Sequence, residues 1–430
     1  MANPNPTSAP VVPAASRRAL VLLLSAFSLV GYVLRMNISV AAPFMMTALQ
    51  LDKIQMGQVF SAFMLGYALF QVPWGVSGDR IGPGRTLTWA AIVWTATTLL
   101  TGLIPGTLVP VGTASLVTLM VLRFTLGLGE AAAYPLASRA IASWMPPGRR
   151  AVSFSALIVG MAIGSAFTPP LVSWAMVTLG WRASFYLCAA LSLGLALSWH
   201  RSAGSRLDMT GGLGKAAPAS GGFWSSLAVL KDRNIAWMSL SYFFDSYVLF
   251  VFVFWLFLYL VEQRGMSVMS SGLYAALPFV TGMIFAPLAG LLSDALVVRW
   301  GHGWGRRTVA MVSLALSALF LVLGIDVGSA TVAIVGLSLS VGFLLCTEPA
   351  YWSTSMDLGG AHAGTAGGIM NMAGNLGGVV STALVPVLIK YFGWPFAFRS
   401  AAALAAIAAL IWLVVTFEPT GRGRTRADRR

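Results

Sequence analysis

Gly75-Val-Ser-Gly-Asp79-Arg80-Ile-Gly82, with Arg85 just beyond it, recurs in degenerate form as Gly290-Leu-Leu-Ser-Asp294, with Arg306 and Arg307 beyond. Residues 75 and 290, and residues 79 and 294, are each 215 apart, half the length of the 430-residue chain. Self-similarity at a fixed period marks a repeated structural unit, here present twice. Other landmarks keep nearly the same register. Pro170 and Gly180-Trp181 are echoed by Pro386 and Gly393-Trp394, and Glu130-Ala-Ala-Ala-Tyr134 by Glu348-Pro-Ala-Tyr351.

Both copies are too apolar for water. The chain is 57% hydrophobic and 9% charged, with a mean hydropathy of +0.81, whereas a soluble domain carries about 25% charged residues. Apolar runs punctuated by Gly, Pro and charge predict twelve spans, at 19–46, 55–78, 86–104, 115–143, 151–178, 182–200, 236–261, 269–297, 308–325, 330–356, 363–390 and 395–417. The expected fold is an all-α membrane protein with twelve transmembrane helices in two pseudo-symmetric six-helix bundles. Its expected parts are a Pro/Ala/Ser-rich disordered N-terminus (1–18), a first bundle (19–200), a linker (201–233), a second bundle (234–417) and a basic tail (418–430). Arg17-Arg18 precedes a run of span length, which reads as an uncleaved first span, since a signal peptide has an apolar core of about 7–15 residues.

The net charge of +14 raises the question of nucleic acid, and its distribution answers it. Basic residues gather at Arg17-Arg18, Arg80 and Arg85, Arg149-Arg150, 201–233, 299–307 and 422–430, while the alternate loops near Asp52-Lys53, 105–115, 262–264 and Asp326 are almost free of net charge. That alternation follows the positive-inside rule and places both termini in the cytoplasm; a bacterial inner membrane is the expected location. Cys188 and Cys346 both fall in apolar runs, and His200, His302 and His362 are scattered, so no metal or cofactor is expected. Thr210-Gly-Gly-Leu-Gly-Lys215 in the linker lacks the spacing of a phosphate loop and a preceding strand. No nucleophile–base pair lies within the spans, so an enzyme is not expected. Parallel six-span halves are instead a transporter architecture, with substrate bound near the midplane. The expected partners are a small organic anion, protons and membrane lipid, around a monomer.

Within the first span, Gly31-Tyr-Val-Leu34-Arg35-Met-Asn37-Ile-Ser-Val-Ala41 carries an arginine at membrane depth. Such a residue costs about 2.5–3.5 kcal/mol on insertion scales, so it faces a cavity or an anionic partner. A snorkelling or structurally paired arginine satisfies that cost as well as a functional one. As a ligand group, its guanidinium fork suits a carboxylate. Arg123 and Glu130 are seven residues apart, on one face of span four. They read either as a buried ion pair that fixes the fold or as a coupling device in which Glu130 takes up a proton and loosens its hold on Arg123. Asp245 and Glu348 are further acids within spans and candidates for the same work. Pro349 is expected to interrupt span ten beside Glu348. Tyr67, Tyr351, Trp352, Ser353, Asn371 and Asn375 offer hydroxyl, amide and ring contacts to a polar small molecule, or serve as ordinary packing. The glycines of Gly374-Asn-Leu-Gly-Gly378 favour close helix approach.

The repeated Gly-x-x-x-Asp-Arg-x-Gly loop and the twelve spans in two halves resemble the major facilitator superfamily. Arg35, Leu122-Arg123-Phe-Thr-Leu-Gly127-Leu-Gly-Glu130-Ala-Ala-Ala-Tyr134-Pro135, Phe60-Ser-Ala-Phe63, Gly66-Tyr67, Gln71-Val-Pro73 and Asn371-Met-Ala-Gly374-Asn375-Leu-Gly377-Gly378 are similar to the anion:cation symporter branch, which includes sugar-acid permeases, sialin and vesicular glutamate carriers. The resemblance implies that Arg35 holds a substrate carboxylate, that Glu130 carries the proton, and that Tyr67 and Asn375 contact substrate. It also implies that Gly75, Asp79, Arg80 and Arg85, with Gly290, Asp294, Arg306 and Arg307, form gating loops. Two departures matter. Sugar-acid members typically carry Asp where this chain has Leu34, and often an amide in span five, where Gly160-Met-Ala-Ile-Gly164 offers none. The resulting expectation is a proton-coupled importer of a small carboxylate, sugar acid or otherwise, working by alternating access. An exporter or exchanger of amphipathic compounds is the alternative, to which 19 Met and 15 Trp are suited.

Overall fold

The computed structural model describes residues 13–81, 83–145, 149–204, 232–359 and 363–416. The expected N-terminal segment up to residue 12, most of the linker with Thr210 to Lys215, and the basic tail lie outside the described residues. Described residues are helical almost throughout: α1 (Ala14–Leu49), α2 (Lys53–Ile81), α3 (Pro83–Leu103), α4 (Thr113–Glu130), α5 (Ala133–Trp144), α6 (Arg150–Leu179), α7 (Trp181–Trp199), α8 (Arg233–Glu262), α9 (Val268–Asp326), α10 (Ala330–Leu345), α11 (Glu348–Gly359) and α12 (Ala363–Ile411). In an environment without water the backbone must satisfy its own hydrogen bonds, and apolar runs do so as helices.

Three glycines separate spans that follow without a loop. Gly180 parts α6 from α7 at φ 86° and ψ 159°, Gly393 divides α12 at φ 80° and ψ 171°, and Gly301 divides α9 at φ 81° and ψ 166°. Positive φ of this kind is open to glycine and strained for other residues. Among the described residues, ten segments have the length and apolarity to cross a membrane. Gly393 divides the one at Thr365–Ile411 into two, and α2 supplies the twelfth span.

Span 115–143 is broken, and so is span 330–356, where Pro349 is expected to interrupt the helix. α4 stops at Glu130 and α5 starts at Ala133, while α10 stops at Leu345 and α11 starts at Glu348. At the first break the Ala131 N–H is bonded to Gly127 O at 3.0 Å and the Ala132 N–H to Gly129 O at 3.3 Å, a tightened turn. At the second, the Thr347 N–H is bonded to Leu344 O at 3.1 Å. Pro135 and Pro349 lie in the first turns of α5 and α11, where a missing N–H costs little. The last helix ends at Ile411 rather than at the expected 417.

The described chain forms two compact units. One contains α1 and the chain from Leu65 to the end of α7; the other contains Leu51–Met64 and the chain from α8 onward. In the first unit α1 packs on α6 at backbone distance: a Cβ built on Gly160 would lie 2.2 Å from Ser25 O, and one on Gly164 would lie 2.5 Å from Leu29 O. In the second, α12 packs on α8, where a Cβ on Gly377 would lie 2.2 Å from Phe243 O. Lys53 Nζ is 2.7 Å from Glu262 Oε2 in the same unit. Outer surfaces carry exposed apolar side chains such as Phe167, Leu288 and Leu291, the pattern of a lipid-facing wall.

Candidate functional site

Arg35 stands inside α1 with 4% exposure, and its charge is met from another helix. Glu130 is the last residue of α4, where the helix carbonyls already concentrate negative potential. The arginine brings compensation from the side, with Nη2 3.1 Å and Nε 3.4 Å from Glu130 Oε2. Two rings flank the guanidinium, Tyr32 at 4.7 Å and Tyr67 at 4.5 Å from their centroids, a cation–π arrangement that keeps its plane fixed. Trp94 and Tyr134 complete the wall of a small pocket shared with Ser28 and Gly31. The Tyr134 hydroxyl lies 2.8 Å from Ser28 Oγ, so this wall is itself braced.

Glu130 was expected to pair with Arg123, and it pairs with Arg35 instead. Seven residues along one helix are about 10.5 Å of rise, too far for two side chains to meet side by side, whereas α1 presents Arg35 laterally. Arg123, 1% exposed, turns toward α1 and α7: its Nη1 donates to Leu34 O at 3.1 Å and its guanidinium lies 5.6 Å from the Phe185 ring. Close by, Ser184 Oγ donates to Asn37 Oδ1 at 3.0 Å.

The second unit gathers the other acids. Asp245 on α8 is 1% exposed and accepts from Thr347 Oγ1 at 2.9 Å. Glu348, the next residue, accepts from the Tyr242 hydroxyl at 3.2 Å and from Trp352 Nε1 at 2.9 Å. Tyr351 is fully buried, its hydroxyl 2.6 Å from Ser241 Oγ and its ring between those of Tyr242 and Trp412. Ser353 donates to Pro349 O. On α12, Asn375 Nδ2 donates to Asn371 O at 2.8 Å. Tyr351 is thus held against α8 and Trp412, Ser353 bonds within α11, and Trp352, 37% exposed, is the most open of the group.

The sequence profile described as Major Facilitator Superfamily matches residues 23–382 and, in a second match, 296–430. This chain belongs to the Major Facilitator Superfamily. It is 32% identical over 402 residues to a probable sulfoacetate transporter of Cupriavidus necator, covering 90% of each chain. It is 29% identical over 401 residues to a hexuronate transporter of Bacillus subtilis, covering 91% of this chain and 92% of the relative. Among solved structures, a bacterial homologue of the human lysosomal transporter Spinster superposes with a TM-score of 0.79 at 17% identity, covering 94% of this chain and 98% of the other. All three are transporters, and none is an enzyme.

The residues that the resemblance assigns to gating loops are only partly described. Gly75, Asp79 and Arg80 lie on α2, and their side chains fall outside the described ones. Arg85 and Asp294 are exposed. Gly290 packs against Pro349, with a built Cβ 3.7 Å from its ring. Arg306 bonds Asp357 on α11, and Arg307 bonds Val415 O while lying 4.9 Å from the Trp304 ring. Asp357, Tyr32, Trp94, Tyr134 and Asn37 take part in these arrangements without having been singled out from sequence. Tyr32 was within reach of such reading, because it precedes Arg35 by three residues and shares its helix face.

Proposed function

We propose that the protein is a secondary transporter that imports a small organic anion together with protons, by alternating access, across a bacterial inner membrane with both termini in the cytoplasm. The observation that carries this reading is Arg35, a buried guanidinium framed by Tyr32 and Tyr67 and held by Glu130. Glu130 and a substrate carboxylate compete for the same fork. A proton on Glu130 removes its charge, dissolves the ion pair and frees Arg35 for the incoming anion, so proton and substrate favour each other's binding. Loss of the proton restores the pair and expels the anion. Asp245 and Glu348 are assigned a supporting share in proton movement. Tyr67, Arg123, Tyr351, Trp352, Ser353, Asn371 and Asn375 are assigned to substrate, and the loops around Asp79 and Asp294 to gating. The relatives named above, both carriers of acid anions by description, support the substrate class.

The experiment is uptake into proteoliposomes with an acidic exterior. Wild type accumulates its anion. Arg35→Ala abolishes uptake, and Glu130→Gln permits exchange of anion across the membrane while losing accumulation driven by the pH gradient. Normal transport by Arg35→Ala removes the basis of the reading.

A further inference from the structure

We propose that the substrate is a dianion whose second acid group is bound by Arg123. This rests on the anion-carrier reading and adds the charge that the cargo bears. Among the described residues of the first unit, the buried charged side chains are Arg35, Arg123 and Glu130. Two guanidiniums face one carboxylate, so the interior carries one uncompensated positive charge, and burying an unpaired charge is costly.

Arg123 is the group left over. Its Nη1 has only a backbone carbonyl, Leu34 O, and its Nε and Nη2 meet no acceptor among the described residues. A guanidinium has five N–H donors, and one neutral carbonyl does not neutralise it. Leu34 immediately precedes Arg35, so the two arginines serve consecutive residues of α1, and both lie within electrostatic reach of Glu130. Asn37, one turn further along α1, adds an amide whose Nδ2 is likewise without an acceptor. Unmatched buried donors on Arg123, which is tied to α1 at the residue before Arg35, and on Asn37 have the polarity of a second anion subsite.

Charge then decides between cargo types. With Glu130 ionised the three groups sum to +1; with a proton on Glu130 they sum to +2. A dianion cancels the protonated state, whereas a monoanion leaves half of it uncancelled. Proton-coupled binding at this site therefore selects a molecule with two acid groups.

The test compares pairs differing by one acid group, galactarate with galactonate, sulfoacetate with acetate, and succinate with 4-hydroxybutyrate, by thermal shift of the purified full-length protein and by proteoliposome uptake. The dianion of a responding pair binds at least about tenfold more tightly than its partner. Arg123→Gln weakens the dianion about ten- to a hundredfold and the monoanion far less, drawing the ratio toward one, as expected for loss of a charge-assisted pair. Arg123→Lys, which keeps the charge and loses the fork, retains part of the preference. A monoanion that binds as tightly as its dianion, or an unchanged ratio in folded Arg123→Gln protein, overturns the proposal and leaves the anion-carrier reading standing. Response to none of the six compounds, with transport of an uncharged or cationic compound instead, overturns both. If Arg123→Gln does not fold, the wild-type ratio and Arg123→Lys decide.

Discussion

Arg35 and Glu130 illustrate how a buried ion pair constrains its own mutagenesis. Removing one partner strands the other in a low-dielectric interior, at a cost of about 3–5 kcal/mol. Arg35→Ala is therefore expected to lower the melting temperature in detergent, and adding Glu130→Gln is expected to restore most of it, because an amide carries no charge to strand. Equal melting of the single and double variants would show that the pair contributes nothing to folding. Arg35→Lys should fold like wild type yet raise KM for the anion about tenfold or more, since an ammonium offers neither the bidentate fork nor the planar stacking on Tyr32 and Tyr67. The two charges could be singled out from sequence because each interrupts an apolar run. Their partnership could not, because a helix face specifies which residues look the same way and leaves open which neighbouring helix they look at. Arg123 was accordingly matched to Glu130, whose direct ion pair is made with Arg35.

At the level of helices, the spans follow from hydrophobic length, and the breaks within them are harder to see. Pro349 announces the interruption after α10, whereas Ala131-Ala132 after α4 has no proline or glycine at the turn itself and reads as good helix. An acid borders each break, on opposite sides of it: Glu130 ends α4 and Glu348 opens α11. Glycine contacts carry a sharper prediction. α1 and α6 approach so closely at Gly160 and Gly164 that any side chain there meets a backbone carbonyl of Ser25 or Leu29. Gly164→Leu should force the helices apart and destabilise the protein by at least about 1–3 kcal/mol, seen as a fall in melting temperature, while Gly194→Leu on α7, where a Cβ meets nothing within 4 Å, should leave it near wild type. Equal effects at the two sites would show that this close approach is unimportant.

Across the whole chain, the repeat is preserved in backbone geometry as well as in letters. Gly180 and Gly393 stand before Trp181 and Trp394, and both take nearly the same left-handed conformation between consecutive spans. A one-dimensional repeat of this kind was visible because it needs only spacing. What each half contributes chemically was not, since among the described residues the first unit buries two arginines with one acid while the second brings Asp245 and Glu348 together. Orientation in the membrane rests on the distribution of arginine and lysine alone, and it can be tested without disturbing either cluster. Cys188 and Cys346 are 4% and 6% exposed, so background labelling by an impermeant maleimide should be low. Thr113→Cys, exposed at the start of α4 in a loop poor in charge, should label in intact cells. Arg299→Cys, exposed beside the Gly301 break in a basic loop, should label only after permeabilisation. The two sites bracket an odd number of spans, so they must lie on opposite sides if the span count is right. Labelling of both from outside would break the twelve-span topology, and the reverse pattern would invert the chain and place its basic loops on the side where that rule forbids them.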